Sequence, residues 1–110
     1  MKTILLAASL LLASRAGATF YTGDALLEQC RGDSEEAQDR CRGYISGVDV
    51  TIAAFGRWNL MRNHWCAPEG TTLDELKSIV VKYLAARPAE LHVRAAPHVV
   101  DALMQAFPCE

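Results

Sequence analysis

Cys30, Cys41, Cys66 and Cys109 are the side chains best suited to covalent or metal chemistry, and three histidines, His64, His92 and His98, accompany them. Spacing decides what they can do. A thiolate zinc site needs cysteines about two to four residues apart so that two sulfurs reach one ion, and the separations here are 11, 25 and 43 residues. His64 could join Cys66 at a metal only if that thiol were reduced. His92 and His98 stand six apart across Pro97, a step that does not place them on one helical face, so surface or capping positions are expected for both. Catalysis would need a nucleophile with a converging base, or paired carboxylates with one held protonated, and neither has a local signature here. No catalytic residue, metal ligand or cofactor-binding residue is therefore assigned, and the chain does not read as an enzyme. What remains for an even set of cysteines is oxidation in pairs, as two disulfides in an exported chain.

A second chemistry, that of contact, concentrates in one stretch. Trp58 and Trp65 bracket a segment that also holds Leu60, Met61 and Arg62 and directly follows Phe55 and Arg57. Aromatic, Met and Arg side chains are enriched at the centres of protein interfaces. Arg57, Trp58, Met61, Arg62 and Trp65 are accordingly the candidate partner-binding residues. The alternative is that both tryptophans fill the core of a small domain, as tryptophan commonly does.

These residues must be positioned by helices, because apolar residues recur at steps of three and four and no long stretch alternates. The first helix is expected over Thr22 to Cys30, capped by Thr22 or Asp24. A longer one follows Asp33 or Ser34, with Ala37, Cys41, Tyr44, Ile45, Val48, Ile52 and Phe55 on one face. Gly43 and Gly47 interrupt it at a cost of about 1 kcal/mol each, which predicts a closely approaching backbone, from a neighbouring helix or a second subunit. Gly56 weakens its end, so that Trp58 to Cys66 reads as a fraying terminus and a loop. Thr72 and Glu75 form a capping box for a third helix, with Leu73, Leu76, Ile79, Val80, Tyr83 and Leu84 inward, and Arg87-Pro88 stops it. A last stretch, in two parts broken near Pro97, turns Val99, Val100, Leu103 and Phe107 inward. The fold class is all-α, a small compact bundle of about four to five helices stapled by two disulfides. Cys30 and Cys41 close the facing ends of an antiparallel helix pair, which favours joining them and leaves Cys66 for Cys109. Four cysteines allow three connectivities, and the sequence alone leaves the choice open.

The N-terminus reads as a signal peptide: Met1-Lys2, an apolar run from Ile4 to Ala13, and Ala16-Gly17-Ala18 as the cleavage site. The apolar run is about half the roughly 20 residues a membrane span needs. Cleavage leaves a single domain, residues 19–110, and removes Lys2 and Arg15, which takes the net charge from −2 to −4. The remaining basic residues are scattered, so neither nucleic acid nor an anionic membrane is an expected partner. Asp33, Glu35, Glu36 and Asp39 suit the solvated start of a helix.

Particular words in the chain add to this reading: Cys41-Arg42-Gly43-Tyr44-Ile45-Ser46-Gly47-Val48, then Cys66-Ala67-Pro68, Tyr83-Leu84 with Pro88, and Ala102-Leu103 with Phe107-Pro108-Cys109. This succession resembles the Rap/Tai-type immunity proteins of bacterial type VI secretion, small exported helical proteins that neutralise peptidoglycan amidase toxins. The resemblance implies a helical fold, disulfides, a periplasmic address, frequent homodimers, and inhibition by direct binding that blocks the amidase cleft. It assigns no binding residues, since the shared words read as scaffold. A different class of function, a small periplasmic stress or chaperone-like protein opened by acid, would draw on the thirteen carboxylates.

Overall fold

Thr22, Ser34 and Thr72 each place a side-chain oxygen on a backbone N–H three residues on, at 3.3, 3.1 and 3.2 Å, and so start three of the four α-helices among the described residues. These are α1 (Gly23–Arg31), α2 (Glu35–Arg57) and α3 (Leu73–Ala85); α4 spans Ala95–Ala106. The computed structural model describes residues 20–62 and 64–110. The expected signal segment lies outside them. At Thr72 the reciprocal bond from Glu75 completes the expected capping box. A 3-10 turn, Pro88–Glu90, joins α3 to α4, and the described residues contain no strand.

The core is a single cluster in which Leu26, Ile45, Val80, Leu84, Val99 and Leu103 are wholly enclosed, so that each of the four helices contributes. Burying a side chain of this size stabilises the fold by about 1.5–3 kcal/mol. The α3 stripe packs as its periodicity requires: Leu76, Val80 and Leu84 are buried, and Leu73, Ile79 and Tyr83 lie against the cluster. Cys30–Cys41 joins α1 to α2 across a Cα–Cα distance of 4.9 Å, and Cys66–Cys109 joins the loop after α2 to the C-terminus across 5.0 Å. That is the favoured connectivity. Gln38 supports the first turn by donating to the carbonyls of Cys30 and Gly32, both at 2.8 Å.

The N-termini of α1 and α4 satisfy each other. Gly23 and Asp24 donate to the carbonyls of Val93 and Leu91 at 2.8 and 2.9 Å, while Ala95 donates to Tyr21 at 2.8 Å. These bonds use donors that a helix start otherwise leaves orphaned. Gly23 is required at this junction, because a Cβ there would sit 3.1 Å from both the His98 ring and the Leu91 carbonyl oxygen.

Three expectations are corrected here. The last helix is not broken near Pro97, which occupies its first turn, where a missing N–H breaks no intrahelical bond; the interruption falls at residues 91–94. His98 is not at the surface but buried, its Nε2 donating to the Glu90 carbonyl at 2.9 Å. The capping role expected for it is therefore met from inside, while His92 is exposed as expected. The inward stripe of α2 ends early: Tyr44 and Val48 pack against the core, but Ile52 and Phe55 are half-buried outside that cluster.

Candidate partner-binding surface

Length explains why α2 stops contributing to the core. At 1.5 Å per residue its 23 residues span about 34 Å, against roughly 20 Å for α3 and 18 Å for α4. Its fully buried residues are Cys41 and Ile45, both in the first half. Beyond Val48 no side chain of the helix is fully buried, and several of the apolar ones there and in the turn that follows meet solvent. Val50 is 57% exposed, Trp58 64% and Leu60 69%.

The end of α2 is not frayed, contrary to expectation. Leu60 donates to the Phe55 carbonyl at 2.9 Å and Asn59 to the Gly56 carbonyl at 3.1 Å, while Asn59 adopts φ 56°. This paired bonding around a left-handed residue is a Schellman cap, and asparagine is among the few non-glycine residues that tolerate it. It holds Trp58 and Leu60 in a defined turn beyond the helix. The Trp58 ring lies 6.4 Å from that of Phe55, and a shallow groove beside it is lined by Val50, Ala53, Ala54, Arg57 and Asp49.

Of the five candidate residues, Arg57, Trp58 and Arg62 are exposed and Met61 is half-buried. Trp65 differs in kind: it packs against the core and its Nε1 donates to Asp49 Oδ1 at 3.3 Å, tying the loop back onto α2. Trp65 thus meets the alternative expectation in part, by packing against the core, whereas Trp58 lies open to solvent. From Val50 to Pro68 the chain carries Arg57, Arg62 and His64 and no carboxylate. Among the described residues the ion pairs are Arg40–Glu36 and Arg42–Asp74, neither at this end. Val50 and Asn59 escaped the sequence reading. Val50 lies off the apolar stripe, whereas Asn59 at the end of an apolar helix was a readable capping signal.

A second open surface lies beside the first. Gly43, Gly47, Ala54 and Trp58 follow one another at steps of four, seven and four, and so share one face of α2. Apart from the helix's own adjacent backbone and the neighbouring residues, no described atom lies within 4 Å of where a Cβ would stand at Gly43 or Gly47. Among the described residues, therefore, no neighbouring helix is what these glycines accommodate. They line an open groove with Tyr44, Val48, Ala96 and Val100, between α2 and α4. Burial pushes the Tyr44 hydroxyl above its usual pKa, with a backbone hydrogen bond at Ala96 acting the other way. Burial likewise raises Tyr83, which the Arg87 guanidinium, 3.6 Å from its ring centre, partly counters.

Among the described residues no cluster of three or more His, Cys, Asp or Glu could hold a metal ion, and no helix is long and apolar enough to cross a membrane. All four cysteines are spent in disulfides. In comparison with known proteins, the family model described as Rap1a immunity proteins matches residues 22–109, from the cap of α1 to the last cysteine. No curated protein matches the chain.

Proposed function

The chain belongs to the Rap1a immunity protein family, and from that premise we propose that it is a periplasmic immunity protein that binds and inhibits a peptidoglycan amidase effector of type VI secretion. The observation that carries this reading is the extent of the family match, which takes in the whole helical body and both disulfides. Export through a cleaved signal peptide, residues 1–18, fits the oxidised cysteines, since such bonds persist in oxidising compartments. The role is binding: the chain occludes the effector's cleft and performs no chemical step.

A second copy of the chain belongs on the α2–α4 groove. Gly43 and Gly47 would let another helix approach closely where none of the described residues does. Gly47→Leu should then split the dimer in sedimentation while leaving the helical circular dichroism of the monomer unchanged.

The test of the function is capture with the oxidised mature protein, residues 19–110, as bait and the products of neighbouring genes as prey, followed by a peptidoglycan amidase assay. A single captured amidase, inhibited at a stoichiometric ratio, is the expected result. Capture of no amidase would remove the reading for this chain.

A further inference from the structure

The overhanging end of α2 has three properties that are independent of one another. It is apolar and open, with Val50, Trp58 and Leu60 each more than half exposed. It is held in place, because the Schellman cap at Asn59 and the Trp65–Asp49 bond fix the turn on both sides. It is also opposite in charge to the body: the mature chain is acidic, yet Arg57 and Arg62 flank Trp58 with no carboxylate between Val50 and Pro68. Asp49, at the inner edge of the groove, is engaged by the Trp65 indole.

Resting on the immunity reading, we propose that this end of α2 is the surface that enters the effector, with Trp58 as its anchor, and that the effector's cleft has an apolar pocket wide enough for an indole and carboxylates on its rim. The geometry favours insertion. A rigid aromatic at the end of a projecting helix loses little conformational freedom on burial, so more of its contact energy is available for affinity. Arg57, which lines the same groove, and Arg62, exposed four residues beyond Trp58, supply directional donors to rim carboxylates and speed encounter with an acidic cleft, while the acidic body discourages other orientations. The anchor stands about 16 Å along α2 from Gly47, eleven residues at 1.5 Å each. A second copy crossing at the glycines would leave it free.

The experiment compares oxidised wild-type protein with Trp58→Ala and with the double variant Arg57→Glu, Arg62→Glu, using the captured amidase as probe. Affinity is read by titration, and salt dependence is measured for each. The expected result is a loss of about thirtyfold or more for Trp58→Ala, as for interface anchors. The double variant should lose about tenfold or more, with a flatter dependence on salt. Trp58 fluorescence should shift to the blue on complex formation, a shift that Trp58→Ala removes. If the wild type binds and both variants bind within about threefold of it, this surface is excluded while the immunity reading stands. If the wild type captures no amidase, both fall together. Circular dichroism of the free variants should match that of the wild type, because the three residues are exposed.

Discussion

Residues 35–48 of α2 hold Cys41 and Ile45 with no exposed surface, a disulfide to α1 and an ion pair from Arg42 to Asp74 of α3. Residues 49–57 of the same helix hold no fully buried side chain and end in a turn that displays Trp58. Apolar residues are common in both halves, so composition does not distinguish them. The difference arises from what lies alongside. The first half supplies side chains to the shared core, whereas beyond Val48 α4 still borders Thr51 and Ile52 but encloses neither. The disulfides repeat the contrast: Cys30 and Cys41 are enclosed, whereas Cys66 and Cys109 are exposed. A helix of this kind can be anchored at one end and offered at the other without a hinge between.

The sharpest way to break the comparison is reduction under native conditions. A thiol reductant reaches the Cys66–Cys109 sulfurs from solvent, but reaches Cys30–Cys41 only when the body opens. The first bond should therefore be reduced faster by on the order of a hundredfold or more, the factor depending on the free energy of opening. Timed alkylation with peptide mass spectrometry measures it, and equal rates would mean that the body opens as readily as its end. Truncation tests the same contrast in stability. Ile45→Ala should cost about 2–5 kcal/mol, through lost burial and the cavity it leaves. Trp58→Ala should stay within about 0.5 kcal/mol, as exposed substitutions do. A large loss for Trp58→Ala in urea unfolding would place the indole in the folding core and remove it as a displayed anchor.

The signals that could be read from the sequence were those completed within one turn or one face. Ser34, and Thr72 with Glu75, start their helices through partners three residues away, and Leu76, Val80 and Leu84 repeat at steps of four. The Cys30–Cys41 pairing was favoured, though not settled, by a short turn between two helices. What escaped was set by distant neighbours. His98 is buried because the 3-10 turn and Gly23 close over it, and nothing near His98 in sequence announces either. Ile52 and Phe55 continue the apolar period of Ile45, yet the period cannot say where the flanking helices stop. Trp58 and Trp65, seven residues apart, were indistinguishable by type, and the core and Asp49, both distant in sequence, separate them by engaging Trp65.

Glycines provide the finest test, since the same addition of one methyl group should have opposite signs in the two environments. At Gly23 the new Cβ would meet the His98 ring and the Leu91 carbonyl at 3.1 Å, and the Leu84 side chain at 3.3 Å. The carbonyl cannot withdraw, because it accepts from Asp24. Gly23→Ala should therefore destabilise the protein by about 1–3 kcal/mol, as overpacking does. At Gly47 no described atom apart from the helix's own adjacent backbone and the neighbouring residues is within 4 Å, and alanine is the better helix former, so Gly47→Ala should stabilise the monomer by about 0.5–1 kcal/mol. Concentration separates the two consequences at Gly47. Urea midpoints taken at low protein concentration report the gain in the monomer, whereas sedimentation at high concentration reports whether the added methyl has pushed a second copy away. A gain at low concentration with a weakened dimer at high concentration would mean that the glycines are kept for the partner helix. A gain with unchanged association would move the dimer contact off this groove.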